Sequence, residues 1–177
     1  GGGGGVWVGG VWVGCGGLSF VGVGRLGKTT VAQLVFNDDK LKKEYSARRW
    51  VCVSDQDEKY FDLNLISGKI LESTTGDKHE GFSLDSLLTR VRKILEVNKY
   101  FLVLDDVWNE DPLEWDKLMS VLRVGCSGSK VVVTTRSRKT GQVIREGCIY
   151  ELKGLWEDES WHLFQMTAFG DKVVPVR

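Results

Sequence analysis

Apolar residues along the chain fall either into short unbroken runs or into segments with helical spacing. The short runs carry little alternation of polar residues, as is typical of strands covered on both faces of a parallel sheet. They predict five strands, at Leu18–Val21, Arg49–Val53, Tyr100–Leu104, Lys130–Thr134 and Cys148–Leu152.

Between these runs, apolar residues recur every three or four positions, which predicts helices with one buried face. Ser83 is predicted to be the N-cap of the second of these helices. The three buried faces consist of Leu63, Ile66, Ile70 and Leu71; of Leu84, Leu87, Leu88, Val91, Ile94 and Leu95; and of Trp115, Leu118, Met119 and Leu122. A further helix is predicted over Thr30–Phe36. Strands that alternate with helices indicate right-handed βαβ units. We therefore predict an α/β fold of three layers, with a mainly parallel five-stranded sheet flanked by helices.

The first 17 residues differ in composition from the rest of the chain. They hold 10 of its 22 glycines, and the sequence GGVWV occurs there twice in tandem. A glycine-rich tract buries too little apolar surface to offset the entropy lost when its backbone is ordered. We therefore predict an irregular, disordered segment over residues 1–17, followed by the folded domain.

Charge and hydropathy argue against two classes of partner. The chain has 24 Lys and Arg against 24 Asp and Glu, so it shows no basic surplus for nucleic acid and no polybasic anchor for a membrane. No run approaches the ~18 consecutive apolar residues of a membrane-spanning helix. The four cysteines are scattered and the N-terminus does not resemble a secretory signal, which indicates reduced thiols in a cytosolic or nuclear compartment; of the two, we predict a cytoplasmic location.

The first predicted strand is followed directly by GVGRLGKT, a P-loop pattern of the form GxxxxGK followed by Ser or Thr. Such a loop lets backbone N–H groups converge on a polyphosphate, and the next helix presents its positive N-terminus to the same anion. Lys28 is expected to reach the β and γ phosphates, and Thr29 to offer its hydroxyl to Mg²⁺. The alternative is a glycine-rich turn that only caps a helix. The predicted nucleotide-binding residues are Gly22, Val23, Gly24, Arg25, Leu26, Gly27, Lys28, Thr29 and Thr30.

Two later strands end in charged residues. Asp105 and Asp106 follow one apolar run, and Arg136 follows another. In open α/β sheets, ligands bind beyond the carboxyl ends of the strands, where these side chains emerge. We predict that Asp105 holds Mg²⁺, that Asp106 orients or deprotonates an attacking water, and that Arg136 contacts the terminal phosphate. Taken alone, each residue also fits a solvated strand end, and the upstream P-loop favours the functional interpretation.

In their order and spacing, these motifs resemble the NB-ARC domain of plant disease-resistance proteins that carry a nucleotide-binding domain and leucine-rich repeats. The resemblance runs from about Leu18 to about Phe169 and predicts a domain over residues 18–169. Trp108 resembles the coiled-coil, non-TIR branch of this family. The motifs that carry the resemblance are GVGRLGKTT, NDDKLKKEYSARRWVCVSD, FLVLDDVW, GSKVVVTTR and YELKGLWEDESWHLFQMTAF.

The resemblance implies an intracellular immune receptor with a STAND-type P-loop ATPase, ADP-bound at rest and ATP-bound when active. It implies that pathogen effectors or guarded host proteins trigger the nucleotide exchange. It also supports the roles of Lys28, Thr29, Asp105, Asp106 and Arg136. In such a receptor the domain is a regulatory switch and at most a slow Mg²⁺-dependent ATPase.

Three features depart from the family pattern. Arg25 stands where family P-loops usually have a second central glycine, and if that position needs a positive φ, an arginine there costs about 1 kcal/mol. Residues 170–177 no longer follow the family, and the first strand follows the Gly/Trp-rich segment directly. We expect the coiled coil, the ARC subdomains and the leucine-rich repeats of a parent receptor to lie outside this chain.

Two other functions stay open on sequence grounds. One is a P-loop kinase or metabolic ATPase with a small-molecule acceptor, although the Arg-rich lid usual in kinases is not seen. The other is a fragment impaired in nucleotide binding, which Arg25 and the unusual ends suggest. Binding of ADP and ATP, and the rate of phosphate release, distinguish these functions from a regulatory switch.

Overall fold

The computed structural model describes residues 6–8, 11–13, 16–54, 62–76, 81–142 and 147–154 of the 177-residue chain. The strands are β1 (Val6–Val8), β2 (Val11–Val13), β3 (Gly17–Val21), β4 (Ala47–Cys52), β5 (Tyr100–Val107), β6 (Lys130–Thr135) and β7 (Gly147–Glu151). The helices are α1 (Lys28–Asn37), α2 (Asp39–Glu44), α3 (Leu63–Thr75), α4 (Leu84–Glu96), α5 (Pro112–Leu122) and α6 (Arg138–Gln142).

In the described part of the chain, the central sheet has five strands in the order β4-β5-β6-β3-β7. All neighbouring strands are parallel. Parallel neighbours need crossover connections, which helices commonly provide. The order places the carboxyl ends of β5, β6 and β3 side by side at one edge of the sheet. The predicted α/β fold with a parallel five-stranded sheet is confirmed.

The interior strand β5 divides its side chains between two cores. Leu102 and Leu104 belong to one cluster, together with apolar residues of α3, α4 and α5. Phe101 and Val103 belong to the other, together with apolar residues of α1 and α2. Because successive side chains of a strand point to opposite faces, the two clusters lie on opposite sides of the sheet. Helices therefore cover both faces, as the three-layer prediction requires.

Capping residues mark where the longer helices begin and end. Asp62, Ser83 and Asp111 precede α3, α4 and α5, and the side chain of each accepts a hydrogen bond from a first-turn N–H. Pro112 occupies the start of α5, where its missing N–H costs nothing. Gly76, with φ 79°, ends α3 in the left-handed conformation that suits glycine. Local sequence thus determines where these three helices begin and where α3 ends.

Several element boundaries differ from the prediction. β5 continues three residues past Leu104, and Val107 at its end is buried in the core. The helices α2 and α6 lie outside the predicted set because, at six and five residues, they are too short to show helical periodicity. No helix in the described part of the chain is long and apolar enough to span a membrane.

The prediction of an irregular segment over residues 1–17 is wrong for β1 and β2. These strands pair in antiparallel orientation, with Trp7 opposite Trp12. Valine and tryptophan favour extended backbone, so glycine content alone was a poor guide. The boundary also moves by one residue, because Gly17 begins β3. The predicted tail, residues 170–177, lies outside the described residues.

The expectation of reduced thiols is wrong for Cys148. Cys148, in β7, is disulfide-bonded. Cys52 and Cys126 are free, as predicted. Spacing along the sequence does not reveal which cysteines a fold brings together, since pairing requires Cα atoms to approach within about 7 Å.

Candidate nucleotide-binding site

The P-loop, residues 22–29, joins the carboxyl end of β3 to α1. Gly27 is the N-cap of α1 and has φ 78°, a left-handed conformation that glycine adopts without strain. Neither a side-chain cap nor an acidic residue in the first turn occupies the first N–H groups of this helix. These groups and the positive end of the helix dipole are therefore available to an anion.

A side chain would crowd the loop at Gly22, whereas at Gly24 a Cβ would make only ordinary contact. The N–H of Gly22 donates to the carbonyl oxygen of Thr135 at 3.2 Å, which fastens the loop to β6. A Cβ at Gly22 would lie 3.3 Å from the carbonyl oxygen of Leu152 and 3.1 Å from Cδ1 of Leu26. A Cβ at Gly24 would lie 3.8 Å from Nη1 of Arg136. The first glycine thus allows close packing beneath the loop, and the second lies beside the guanidinium.

Lys28 is the buried cation of the site. Its side chain turns back over the loop, and Nζ donates to the carbonyl oxygen of Val23 at 2.9 Å. Burial lowers the pKa of Lys28, and the nearby charge of Arg136 lowers it further, whereas Asp106 and Asp105 act in the opposite direction. A polyphosphate between Lys28 and Arg136 would relieve the repulsion of the two cations, because it adds negative charge beside both.

Asp105 and Asp106 lie inside β5, so the prediction that they follow the end of the strand is wrong. Leu104 pairs with Val133 of β6 whereas Val107 pairs with Thr135, so β5 contains one extra residue at this point, a β-bulge. Within it, Asp106 has φ 56°, a left-handed conformation that non-glycine residues seldom adopt. A regular strand would point the two carboxylates to opposite faces, whereas here both line the cleft beside the P-loop.

Asp105 links the P-loop helix to the sheet. Its Oδ1 accepts hydrogen bonds from the hydroxyls of Thr29, at 3.0 Å, and Thr134. A hydroxyl and a carboxylate are hard oxygen donors, and Mg²⁺ sites in proteins often use one or two such groups and take the remaining ligands from phosphate and water. The described residues hold no cluster of three or more His, Cys, Asp or Glu that could bind a metal by themselves. The donor set at Thr29 and Asp105 therefore fits a phosphate-bound Mg²⁺.

Asp106 is held by three contacts from neighbouring strands. Ser54, just after β4, donates from Oγ to Oδ2 at 2.8 Å. Nε of Arg136 lies 3.6 Å from Oδ1, and the N–H of Asp106 donates to Oγ1 of Thr134 at 2.8 Å. The carboxylate is therefore oriented by a hydroxyl and a guanidinium, and the hydroxyl of Thr134 fixes the backbone of the bulge.

A cleft of about 430 Å³ brings most of the predicted residues together. Gly22, Val23 and Leu26 do not line it: Gly22 and Leu26 pack beneath the loop, and Val23 is exposed. Two lining residues, Cys52 and Ser54, were missed by sequence reasoning, although Cys52 ends β4 and Ser54 follows two residues later, where ligand-binding residues are expected. The lining consists of Gly24, Arg25, Gly27, Lys28, Thr29, Thr30, Cys52, Ser54, Asp105, Asp106 and Arg136.

Comparison with known proteins decides the family. The NB-ARC domain model matches residues 13–174, five residues further at each end than the predicted domain 18–169. The chain belongs to the NB-ARC family. Disease resistance protein RGA2 of Solanum bulbocastanum is 41% identical over 154 residues, which cover 86% of this chain and 16% of the relative. Disease resistance RPP13-like protein 4 of Arabidopsis thaliana is 38% identical over 154 residues, which cover 86% of this chain and 17% of the relative. The NB-ARC chain thus spans about a sixth of these relatives.

Solved structures with low sequence identity share the fold of this NB-ARC chain. A signal transduction ATPase with numerous domains and a tetratricopeptide repeat sensor, from Pyrococcus horikoshii, has a TM-score of 0.50 at 20% identity and covers 90% of this chain and 24% of that one. AMPPCP-bound DnaA from Aquifex aeolicus has a TM-score of 0.51 at 12% identity and covers 90% of this chain and 47% of that one. Both comparisons support the three-layer P-loop fold.

Arg25 gives the first test of the NB-ARC P-loop. It has φ 65°, so the position does require the left-handed conformation, and its exposed side chain makes no hydrogen bond or ion pair to the described residues. We predict that Arg25→Gly raises ADP affinity by a few-fold, because it removes a bulky group beside the phosphate position. The backbone strain of about 1 kcal/mol is already present in the free chain, so its relief adds to stability and not to affinity. Isothermal titration checks this, and equal or weaker binding by the variant would contradict it.

Proposed function

We propose that this chain is the nucleotide-binding part of a plant disease resistance receptor of the coiled-coil branch, and that it binds ADP and ATP with Mg²⁺. The observation that carries the proposal is the convergence of the P-loop, two strand carboxylates and a strand-end arginine in one cleft. The family and the identity to disease resistance proteins support it. We place the parent receptor in the cytoplasm, where adenine nucleotides and Mg²⁺ are abundant.

Five residues of the cleft have a part in this proposal. Lys28 and the first N–H groups of α1 bind the phosphates, and Thr29 and Asp105 hold Mg²⁺. The metal supplies positive charge that offsets the charge of the phosphate oxygens. Asp106 orients a water, and Arg136 contacts the terminal phosphate of ATP.

We infer a regulatory output and at most slow ATP hydrolysis. Asp106 already accepts a hydrogen bond from Ser54 and lies beside Arg136, so both contacts compete with an attacking water for its carboxylate oxygens. A switch also needs a second state that contacts ADP and ATP differently. We propose that the remaining domains of the receptor provide that state, and that an effector or a guarded host protein shifts the balance.

Calorimetric titration with ADP and ATP, followed by phosphate release at saturating ATP, tests the proposal. We expect saturable binding of both nucleotides, weaker in EDTA than in Mg²⁺, and turnover on the order of 10⁻³ s⁻¹ or slower, as in P-loop enzymes that lack an activating partner. No saturable binding would indicate a fragment impaired in nucleotide binding. Fast multiple turnover, with or without a small-molecule acceptor, would indicate an ATPase or kinase.

A further inference from the structure

Arg136 lies at the mouth of the cleft with three neighbours. Its Nε is 3.6 Å from Asp106, its guanidinium carbon is 5.8 Å from the ring centre of Trp108, and its Nη1 faces Gly24 of the P-loop. The side chain is 62% exposed, so an ion pair to Asp106 is too weak by itself to hold one conformation. A second contact is needed to explain how the guanidinium stays beside the loop.

Trp108 provides that contact from a fixed backbone. It follows β5 directly, and the residue remains 61% exposed, which is unusual for so large an apolar side chain. The hydroxyl of Thr140, in α6, donates to the carbonyl oxygens of Trp108 at 3.4 Å and Asn109 at 3.0 Å. The indole of Trp115 also donates to the carbonyl of Asn109, at 2.8 Å. Two elements thus fix the backbone at Trp108 while its ring faces the cation.

We propose that Trp108 is a positioning residue that holds the Arg136 guanidinium beside the P-loop and thereby sets the preference of the site for ATP over ADP. The inference rests on the proposed function. A guanidinium over an indole face is attracted to the ring, and this restricts its rotamers. An arginine already restricted near Gly24 loses less entropy when it contacts a terminal phosphate. ADP lacks that phosphate, so its binding gains nothing from the arrangement.

The expected result is a loss of ATP affinity without a loss of ADP affinity. Trp108→Leu lowers ATP affinity about two- to fivefold, the change that one exposed cation–π contact produces, and leaves ADP affinity unchanged. Trp108→Phe keeps an aromatic face and retains most of the ATP affinity. Leu113→Ala is the matched control, since Leu113 is exposed on the neighbouring helix α5 and does not line the cleft, and it leaves both affinities unchanged. Calorimetric titrations with each nucleotide measure these values.

A double-mutant cycle shows whether Trp108 acts through Arg136. In an Arg136→Ala background, Trp108→Leu should have no further effect on ATP affinity. The inference is overturned if Trp108→Leu changes ATP and ADP affinities equally, changes neither, or has its full effect without Arg136. If the unmodified chain binds neither nucleotide, the proposed function itself fails, so the two failures are distinguishable.

Discussion

Lys28→Ala is expected to weaken ADP binding about ten- to a hundredfold, because a hydrogen bond to a charged group contributes about 1.5–3 kcal/mol. The structure supports a loss at the upper end of this range. Lys28 is only 7% exposed, and its ammonium lies within the loop that would surround the phosphates. No other lysine lines the described cleft, so no second ammonium can take its place. Calorimetric titration with ADP and Mg²⁺ measures the effect.

Two further variants show whether the loss of ADP affinity comes from the ammonium of Lys28 itself or from the removal of any lysine. Lys40→Ala removes an exposed lysine from α2 and should leave ADP affinity unchanged. Lys28→Arg keeps the charge but replaces a compact ammonium with a planar group, so it should restore only part of the affinity. Circular dichroism would check that each variant is folded. A Lys28→Ala chain that binds ADP within threefold of the unmodified chain would place the nucleotide elsewhere.

Much of the fold follows from local patterns in the sequence. The apolar run at Tyr100–Leu104 predicts an interior strand, and the amphipathic spacing from Leu84 predicts α4, because burial on one or two faces leaves a periodic pattern. The bulge at Asp105 and Asp106 could not be predicted in this way. It exists only in the pairing of β5 with β6, and the residues of one strand do not specify the register of its partner.

In the candidate site, too, contiguous motifs could be predicted from the sequence, whereas contacts between distant residues could not. The P-loop is a contiguous motif, and the strand order β5-β6-β3 explains why Asp105, Asp106 and Arg136 meet beside it. Because Arg25 stands where family P-loops usually have glycine, the sequence raised the question whether this position needs a positive φ, and the structure answers that it does. The contact between Trp108 and Arg136 could not, because it depends on the direction of two side chains from different strands. The roles of all these residues in binding stay predictions.

Trp115→Ala is expected to lower the free energy of unfolding by about 3–5 kcal/mol, the cost usual for truncating a buried aromatic residue. Trp115 is 1% exposed and lies in the core between α5 and the sheet. Its indole N–H also donates to the carbonyl of Asn109, so the substitution removes a hydrogen bond as well as apolar contacts. Against a typical stability of about 5–15 kcal/mol, this is a large fraction. Urea denaturation followed by circular dichroism measures it.

The control for Trp115 lies on the same helix. Leu113 is 71% exposed, so Leu113→Ala should change the free energy of unfolding by less than about 0.5 kcal/mol. Trp115→Phe should give an intermediate loss, because it keeps most of the apolar volume but removes the donor to Asn109. Equal effects of Trp115→Ala and Leu113→Ala would contradict the core assigned to α5. That outcome would also contradict the hydrogen bond from Trp115 to Asn109, which is one of the two contacts that fix the backbone beside Trp108.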